Sequence, residues 1–167
     1  MKEEPYQLGV FVKPLVSAGY TVFAINHRGA PQFRYPAPIE DAERAVRFIR
    51  YNAKRFGIAA DRIGAVGASS GGHLVSMLGV AGRPGDSSDT DVVNRESARV
   101  QSVVAFCAPE DFSAAFPTYA STAIASHIGT LRPPNEKAPE WKLYRAASPI
   151  QHVSPDDPPM LLIHGKG

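Results

Sequence analysis

The chain has 167 residues, of which 44% are hydrophobic and 20% are charged, a composition typical of one globular domain with a buried core. Its 18 basic and 16 acidic residues give a formal net charge of +2 and are mixed along the chain, so the charge pattern favours neither nucleic acid nor a membrane surface as a partner. No apolar stretch approaches the ~20 residues of a membrane span. A single cysteine excludes an internal disulfide.

The first third of the chain predicts a helix, a strand and a second helix. Residues 9–19 predict a short helix that ends at a glycine, and the β-branched and aromatic residues 20–26 predict a buried strand. After a proline-rich loop we expect Asp41 to cap an amphipathic helix that ends near Gly57 and carries Glu43 on its water-facing side. Strand, helix and following strand then imply a parallel pair with a crossover connection.

The remaining chain continues this alternation. Residues 63–66 predict a strand, the residues up to Leu78 show helical spacing, and residues 100–108 and 160–165 predict two further strands. Residues 113–147 are interrupted by prolines and predict irregular helical structure. The predicted fold class is therefore α/β, a three-layer α/β/α sandwich with a mostly parallel sheet.

A glycine and serine turn joins the strand at residues 63–66 to the helix after it. The pentapeptide Gly67-Ala68-Ser69-Ser70-Gly71 fits the G-x-S-x-G pattern of a nucleophile elbow. Such a turn strains the backbone of Ser69, which requires small residues at Gly67 and Gly71. It also directs the backbone N–H of Ser70 at whatever bonds to Ser69, in the field of the helix N-terminus. Ser70 is a second candidate nucleophile, in a frame that starts at Ala68.

The stretch from Gly67 to Leu74 resembles the G-x-S-A-G-G-H-L signature of α/β-hydrolase esterases and lipases, especially the carbohydrate-esterase and hormone-sensitive-lipase-like branch. The resemblance also covers residues 38–50, 57–63 and 147–165. It implies a partial α/β-hydrolase fold, with residues 1–167 as a single domain that is incomplete at both ends and residues 113–147 as a possible cap or insertion over the site.

This resemblance implies that the protein hydrolyses carboxylic esters, namely short acyl or carbohydrate-linked esters, through an acyl-enzyme on Ser69. It implies a small-molecule ester as the partner, with no cofactor and no metal. A serine peptidase of the prolyl-oligopeptidase type shares the elbow and is an alternative. A non-catalytic, hydrolase-like binding domain is another, if the chain is complete.

The resemblance places the catalytic acid and base beyond Gly167, and the His-Gly-Gly loop of the oxyanion hole before Met1. For the histidines within the chain we expect capping or packing roles. His164 is the strongest alternative candidate for the base, because it lies at the carboxyl end of a predicted strand, where open α/β sheets bind their ligands. Asp111, also at a strand end, is an alternative acid. Asp156 and Asp157 are expected to form a turn. The histidines are His27, His73, His127, His152 and His164.

Three further features complete these expectations. Cys107 lies in an apolar run and is expected to be a small buried side chain. Trp141 and Tyr144 either line an acyl or aromatic pocket or pack a helix. No paired histidines or cysteines stand at ligand spacing, so the sequence predicts no metal site.

Overall fold

The computed structural model describes residues 8–114, 118–132 and 136–165. Its centre is a three-stranded parallel sheet in the order β1-β2-β3, built from β1 (Gly64–Ala68), β2 (Ser102–Phe106) and β3 (Met160–Ile163). Ala68 is the register partner of Phe106, which is the partner of Ile163. The carboxyl ends of all three strands therefore meet at one edge. The prediction of a parallel sheet in an α/β fold is confirmed.

Helices and short helical turns connect and flank these strands. Gly57, with φ of +66°, ends the predicted helix by taking the left-handed conformation that glycine tolerates. The helical prediction for residues 113–147 holds for the part of this segment that the structure describes. In chain order the elements are a π-helical turn Leu8–Val12, α1 (Lys13–Ser17), α2 (Ala37–Tyr51), α3 (Ala53–Phe56), α4 (Ser70–Ala81), a 3₁₀ turn Val92–Arg95, α5 (Thr118–Ile128), α6 (Trp141–Ala146) and a 3₁₀ turn Pro149–Gln151.

The main core lies between one face of the sheet and two helices. Helix α4 packs on β1 and β2, and α2 packs on α4. Because side chains alternate along a strand, Val103 and Ala105 point into this core while Phe106 points to the opposite face. There the ring of Phe11 lies 5.2 Å from that of Phe106, so the N-terminal helical segment contacts the second face. The buried core residues are Ala42, Val46, Leu78, Val100, Val103, Ala105 and Ala108.

The predicted strand at residues 20–26 is wrong. The segment has no assigned secondary structure, none of the three described strands pairs with it, and Tyr20 and Ile25 are exposed. Phe23 packs instead on Phe56 of α3, with ring centroids 5.0 Å apart. β-branched and aromatic residues favour a strand only where a neighbouring strand completes the ladder. The parallel pair expected between this segment and β1 is wrong for the same reason.

Two expectations about α2 are also wrong. The helix begins one turn before Asp41, because Pro38 fits a first turn where no backbone donor is needed. The carboxylate of Asp41 instead accepts two hydrogen bonds from Arg28, one from the backbone nitrogen at 2.7 Å and one from Nη2 at 2.9 Å. Glu43 is buried, not water-facing, and accepts from the backbone N–H and Nε of Arg83 at 3.1 and 2.7 Å. Helix α2 thus anchors two loops through its acidic side chains.

No helix in the described ranges is long and apolar enough to cross a bilayer.

Candidate active site

The turn between β1 and α4 places Ser69 at the carboxyl edge of the sheet. Ser69 has φ of 54° and ψ of −121°, a strained conformation for a residue with a side chain. Its backbone N–H donates to the carbonyl of Phe106 at 2.8 Å, and its carbonyl accepts from the N–H of His73 at 3.0 Å. The backbone is therefore fixed from both sides, while the side chain is exposed.

The glycines around Ser69 have different steric roles. A Cβ added to Gly67 would lie 2.4 Å from the carbonyl oxygen of Gly71, a contact that only glycine avoids. A Cβ on Gly71 would meet nothing within 4 Å, so the expected need for a small residue there is wrong. The need shifts to Gly72, where a Cβ would lie 2.8 Å from the Cβ of Ala108. Sequence analysis missed Gly72, although it is the second glycine of the pair.

Ser70 is the first residue of the 12-residue helix α4. The first N–H groups of a helix have no intrahelical acceptor, and the helix dipole makes this end electropositive. The N–H of Ser70 is thus available to an oxygen bound next to Ser69. Ser70 itself is helical and its side chain is exposed, so the positive φ falls on Ser69 alone of these two candidate nucleophiles.

Cys107 follows β2 at the same edge and is exposed, which makes the expected buried position wrong. The strand ends one residue earlier, and Cys107 takes φ of 49° while its N–H donates to the carbonyl of Ile163 at 2.7 Å. This turn swings the thiol away from the core and leaves Ala108 buried in its place.

In the described part of the chain, the ring hydrogen bonds of the histidines go to backbone carbonyls and none reaches the hydroxyl of Ser69. His73 is bound to the carbonyl of Ala147 at 2.7 Å and His152 to that of Ala146 at 2.8 Å, which fits the packing roles expected for them. His27, exposed, bonds the carbonyl of its neighbour Arg28 at 2.8 Å, and His164 is exposed. The location of the catalytic base stays a prediction.

The buried residues His73 and Phe112 form an aromatic group with the half-buried His127. The rings of His73 and Phe112 are stacked with centroids 4.6 Å apart, and the ring of His127 lies edge-on to both. Burial lowers the pKa of His73 to about 4, outweighing the bond to Ala147. Burial, and to a lesser extent His27, also lowers the pKa of His127. Both histidines are therefore neutral near pH 7 and join α4 to α5.

The carboxylates after β2 are engaged locally. Asp111, the alternative acid, accepts from the N–H of Ser113 at 2.9 Å and from its hydroxyl, which is a turn. Its neighbour Glu110 is half-buried and accepts from the hydroxyl of Ser76 at 2.8 Å. Burial raises the pKa of Glu110, partly offset by the bond from Ser76. Sequence analysis did not single out Glu110, since nothing local indicated its contact with α4.

The other expectations have mixed outcomes. Asp157 accepts from the N–H and hydroxyl of Ser154 at 2.8 and 2.9 Å, which confirms the predicted turn. Trp141 and Tyr144 are buried and stacked with centroids 6.5 Å apart, so both pack the helical region, and Tyr144 also borders a cavity. Within the described ranges no three His, Cys, Asp or Glu side chains are grouped to hold a metal.

Comparisons with known proteins agree on one group of enzymes. The model of the BD-FAE family matches residues 1–167. The chain is 33% identical to an acetyl ester-xyloside bifunctional hydrolase from Caldicellulosiruptor lactoaceticus, with a TM-score of 0.77 over 89% of this chain and 50% of that one. It is also 33% identical to a truncated carbohydrate esterase from gut microbiota, with a TM-score of 0.76 over 91% of this chain and 57% of that one.

Among curated proteins, the chain is 30% identical over 156 residues to the probable carboxylic ester hydrolase LipM of Mycobacterium tuberculosis, covering 91% of this chain and 35% of that protein. The Esterase LipC of the same organism is 29% identical over 152 residues. The chain thus spans between about a third and about three-fifths of the length of these relatives.

Proposed function

Because the chain belongs to the BD-FAE family of α/β-hydrolase esterases, we propose that the protein hydrolyses carboxylic esters with Ser69 as its nucleophile. The observation that carries this proposal is the backbone of Ser69, which has φ of 54° between a strand and a helix and presents its side chain to solvent. A strained, non-glycine turn with an exposed hydroxyl has little structural use, whereas a nucleophile elbow requires it.

In the proposed reaction the hydroxyl oxygen of Ser69 attacks the ester carbonyl carbon, and its proton passes to a histidine base. A carboxylate orients that histidine in the proposed site. The negative oxygen of the tetrahedral intermediate accepts a hydrogen bond from the N–H of Ser70. The alcohol leaves with the proton that the histidine held, and water then attacks the acyl-enzyme and regenerates the serine.

The proposed substrates are short acyl esters, including acetyl groups carried on carbohydrates. One structural relative is named for an acetyl ester and a xyloside, and another is a carbohydrate esterase. Removing a single oxyanion donor costs roughly 10²–10³ in turnover in studied enzymes. The hydrogen bond from the backbone N–H of Ser70 is therefore expected to supply a substantial part of the proposed rate enhancement.

The test is Ser69→Ala in the complete gene product, with 4-nitrophenyl acetate as substrate. We expect a loss of at least about 10³-fold in kcat/KM, while Ser70→Ala, which keeps the backbone N–H, should change kcat/KM by less than about tenfold. Undiminished cleavage by Ser69→Ala would reject the assignment. A loss confined to Ser70→Ala would move the nucleophile to that residue.

Two measurements separate this function from its alternatives. A dipeptidyl 4-nitroanilide tested beside the ester distinguishes a peptidase, which would cleave the amide at a comparable rate. Labelling by a fluorophosphonate distinguishes a non-catalytic domain, since only an activated serine reacts. We expect cleavage of the ester, no comparable cleavage of the amide, and labelling that disappears in Ser69→Ala.

A further inference from the structure

A cavity of about 370 Å³, within the volume range of small-molecule pockets, lies after the carboxyl end of β2, between Phe112 and helices α5 and α6. Phe112, which follows β2, forms one wall. Helices α5 and α6 contribute Ile124 and Tyr144, and Leu131 and Arg132 stand in the segment between these helices. The walls are mainly apolar, and among the described lining residues Arg132 is the one charged side chain.

The position of this cavity relates it to Ser69. Phe112 stacks on His73 with ring centroids 4.6 Å apart, and the N–H of His73 donates to the carbonyl of Ser69 at 3.0 Å. His73 therefore contacts the cavity wall through its ring and the elbow through its backbone. A second cavity, lined by residues that include Gln101 and Pro158, opens at the amino ends of β2 and β3. Ligands of open α/β sheets bind at the carboxyl ends, which favours the cavity beside Phe112.

Arg132 gives the cavity its charge. Its guanidinium lies 5.2 Å from the ring centroid of Trp141, and its Nε and Nη2 donate to the carbonyl of Ser113 at 3.1 and 2.7 Å. These contacts fix the planar group, and the two bonds to Ser113 are the ones it makes within the described residues, out of five N–H donors. No carboxylate in the described ranges forms an ion pair with Arg132. The positive charge is therefore held in place without a described acidic partner.

The charge lies at the cavity, because Arg132 and Tyr144 both line it. In agreement with this, burial raises the pKa of Tyr144 and the Arg132 guanidinium acts against that rise. Leu131, next in sequence, is 80% exposed, so an apolar side chain stands at the opening beside the guanidinium. An apolar chamber with one fixed cation complements a ligand that has an apolar body and one negative charge.

We propose that this cavity binds an apolar, carboxylate-bearing part of the ester substrate, with Arg132 as the residue that recognises the carboxylate. The role of the cavity in choosing the substrate rests on the proposed ester hydrolysis. If the cavity has this role, residues 113–147 determine specificity, as expected of a cap. The body of the ligand fills the space between Phe112, Ile124 and Tyr144, and the carboxylate accepts from the guanidinium at the opening.

The binding test uses calorimetry on the complete gene product with three probes: 4-phenylbutyrate, its uncharged amide, and acetate. We expect 4-phenylbutyrate to bind at least about tenfold more tightly than either of the others, the difference that one charge-assisted hydrogen bond provides. Arg132→Gln should remove the preference for the acid over the amide. Arg145→Gln removes the same charge from α6 at an exposed site that bonds Gln151, and should leave the preference intact.

The kinetic test compares the 4-nitrophenyl monoester of glutaric acid with 4-nitrophenyl butyrate. The kcat/KM ratio of the acidic to the neutral ester should fall about tenfold in Arg132→Gln and not in Arg145→Gln. If Ser69 is required for hydrolysis but Arg132→Gln changes neither this ratio nor binding, the cavity proposal is overturned and the proposed function stands. If Arg132 controls binding of the acid but Ser69→Ala hydrolyses esters normally, the site stands as a binding site and the proposed function fails.

Discussion

Ser69 and Cys107 leave neighbouring strands at the same level of the sheet, each with a positive φ, of 54° and 49° respectively. They follow the paired residues Ala68 and Phe106, and neighbouring strands run ~4.8 Å apart. Both side chains are exposed. The carboxyl edge of the sheet therefore carries an exposed serine and an exposed cysteine at neighbouring backbone positions.

This arrangement predicts that a bulky group on Cys107 obstructs Ser69. Treatment of the complete gene product with an N-aryl maleimide should slow labelling of Ser69 by a fluorophosphonate about 10²-fold, since small misplacements of a reactant are that costly. Cys107→Ala should be labelled at the normal rate before and after the same treatment. Equal labelling of the modified and unmodified wild-type protein would show that the two side chains are not neighbours.

Gly67 and Gly71 provide a matched pair for testing the elbow. Gly67→Ala would place a Cβ 2.4 Å from the Gly71 carbonyl oxygen, so the turn must shift. We expect the free energy of unfolding to fall by more than about 2 kcal/mol and fluorophosphonate labelling to be lost. Gly71→Ala adds its methyl group to open space within α4, and should stabilise the protein by up to about 1 kcal/mol. Urea denaturation measures both, and similar losses in the two variants would contradict the steric assignment.

The elbow could be predicted because its information is local. The apolar run, the glycines and the helical spacing that define β1, Ser69 and α4 lie within about 20 consecutive residues, and each demands the same turn. The strands β2 and β3 were equally evident as short apolar runs. The segment at residues 20–26 is also a short apolar run, but composition does not specify a partner strand, so the prediction of a strand there was wrong.

The side chains whose surroundings come from distant segments could not be predicted. Helical periodicity put Glu43 on the water-facing side of α2, yet Arg83, 40 residues later, covers it. Cys107 lies within an apolar run, yet the end of β2 turns it outward. Nothing in the sequence around Glu110 indicated that the hydroxyl of Ser76 in α4 would donate a hydrogen bond to it. In each case a contact between remote segments decides whether the side chain is buried, and such a contact cannot be predicted from a single sequence.

The buried carboxylate of Glu43 should contribute more to stability than the exposed carboxylate of Glu40 on the same helix. The side chain of Glu43 is 3% exposed and bonds Arg83 through two donors, so Glu43→Gln should lower the free energy of unfolding by about 1–3 kcal/mol. The control is Glu40→Gln on the same helix, whose exposed carboxylate lies 3.6 Å from Arg28 and should matter by less than about 0.5 kcal/mol. Equal effects in urea denaturation would mean that Arg83 does not hold Glu43 in solution.

Acid should destabilise the protein through His73. This residue is buried and neutral in the folded state, where its pKa is about 4, below the ordinary value of 6.5. As the pH falls from 6.5 toward 4, the unfolded chain therefore gains a proton that the folded chain does not, and stability is lost over that window. The loss amounts to about 3 kcal/mol, at ~1.4 kcal/mol for each pH unit between the two pKa values.

The variant His73→Gln isolates this contribution, because an amide N–H can still donate to the carbonyl of Ala147 but does not titrate. We expect the free energy of unfolding of His73→Gln, measured in urea from pH 4 to pH 7, to depend on pH less steeply than that of the wild type. His152→Gln serves as the control for the general cost of replacing a hydrogen-bonded histidine by glutamine at pH 7, since His152 bonds the carbonyl of Ala146 from a half-buried position. Parallel pH curves for His73→Gln and the wild type would mean that His73 takes up its proton as readily in the folded protein as in the unfolded chain.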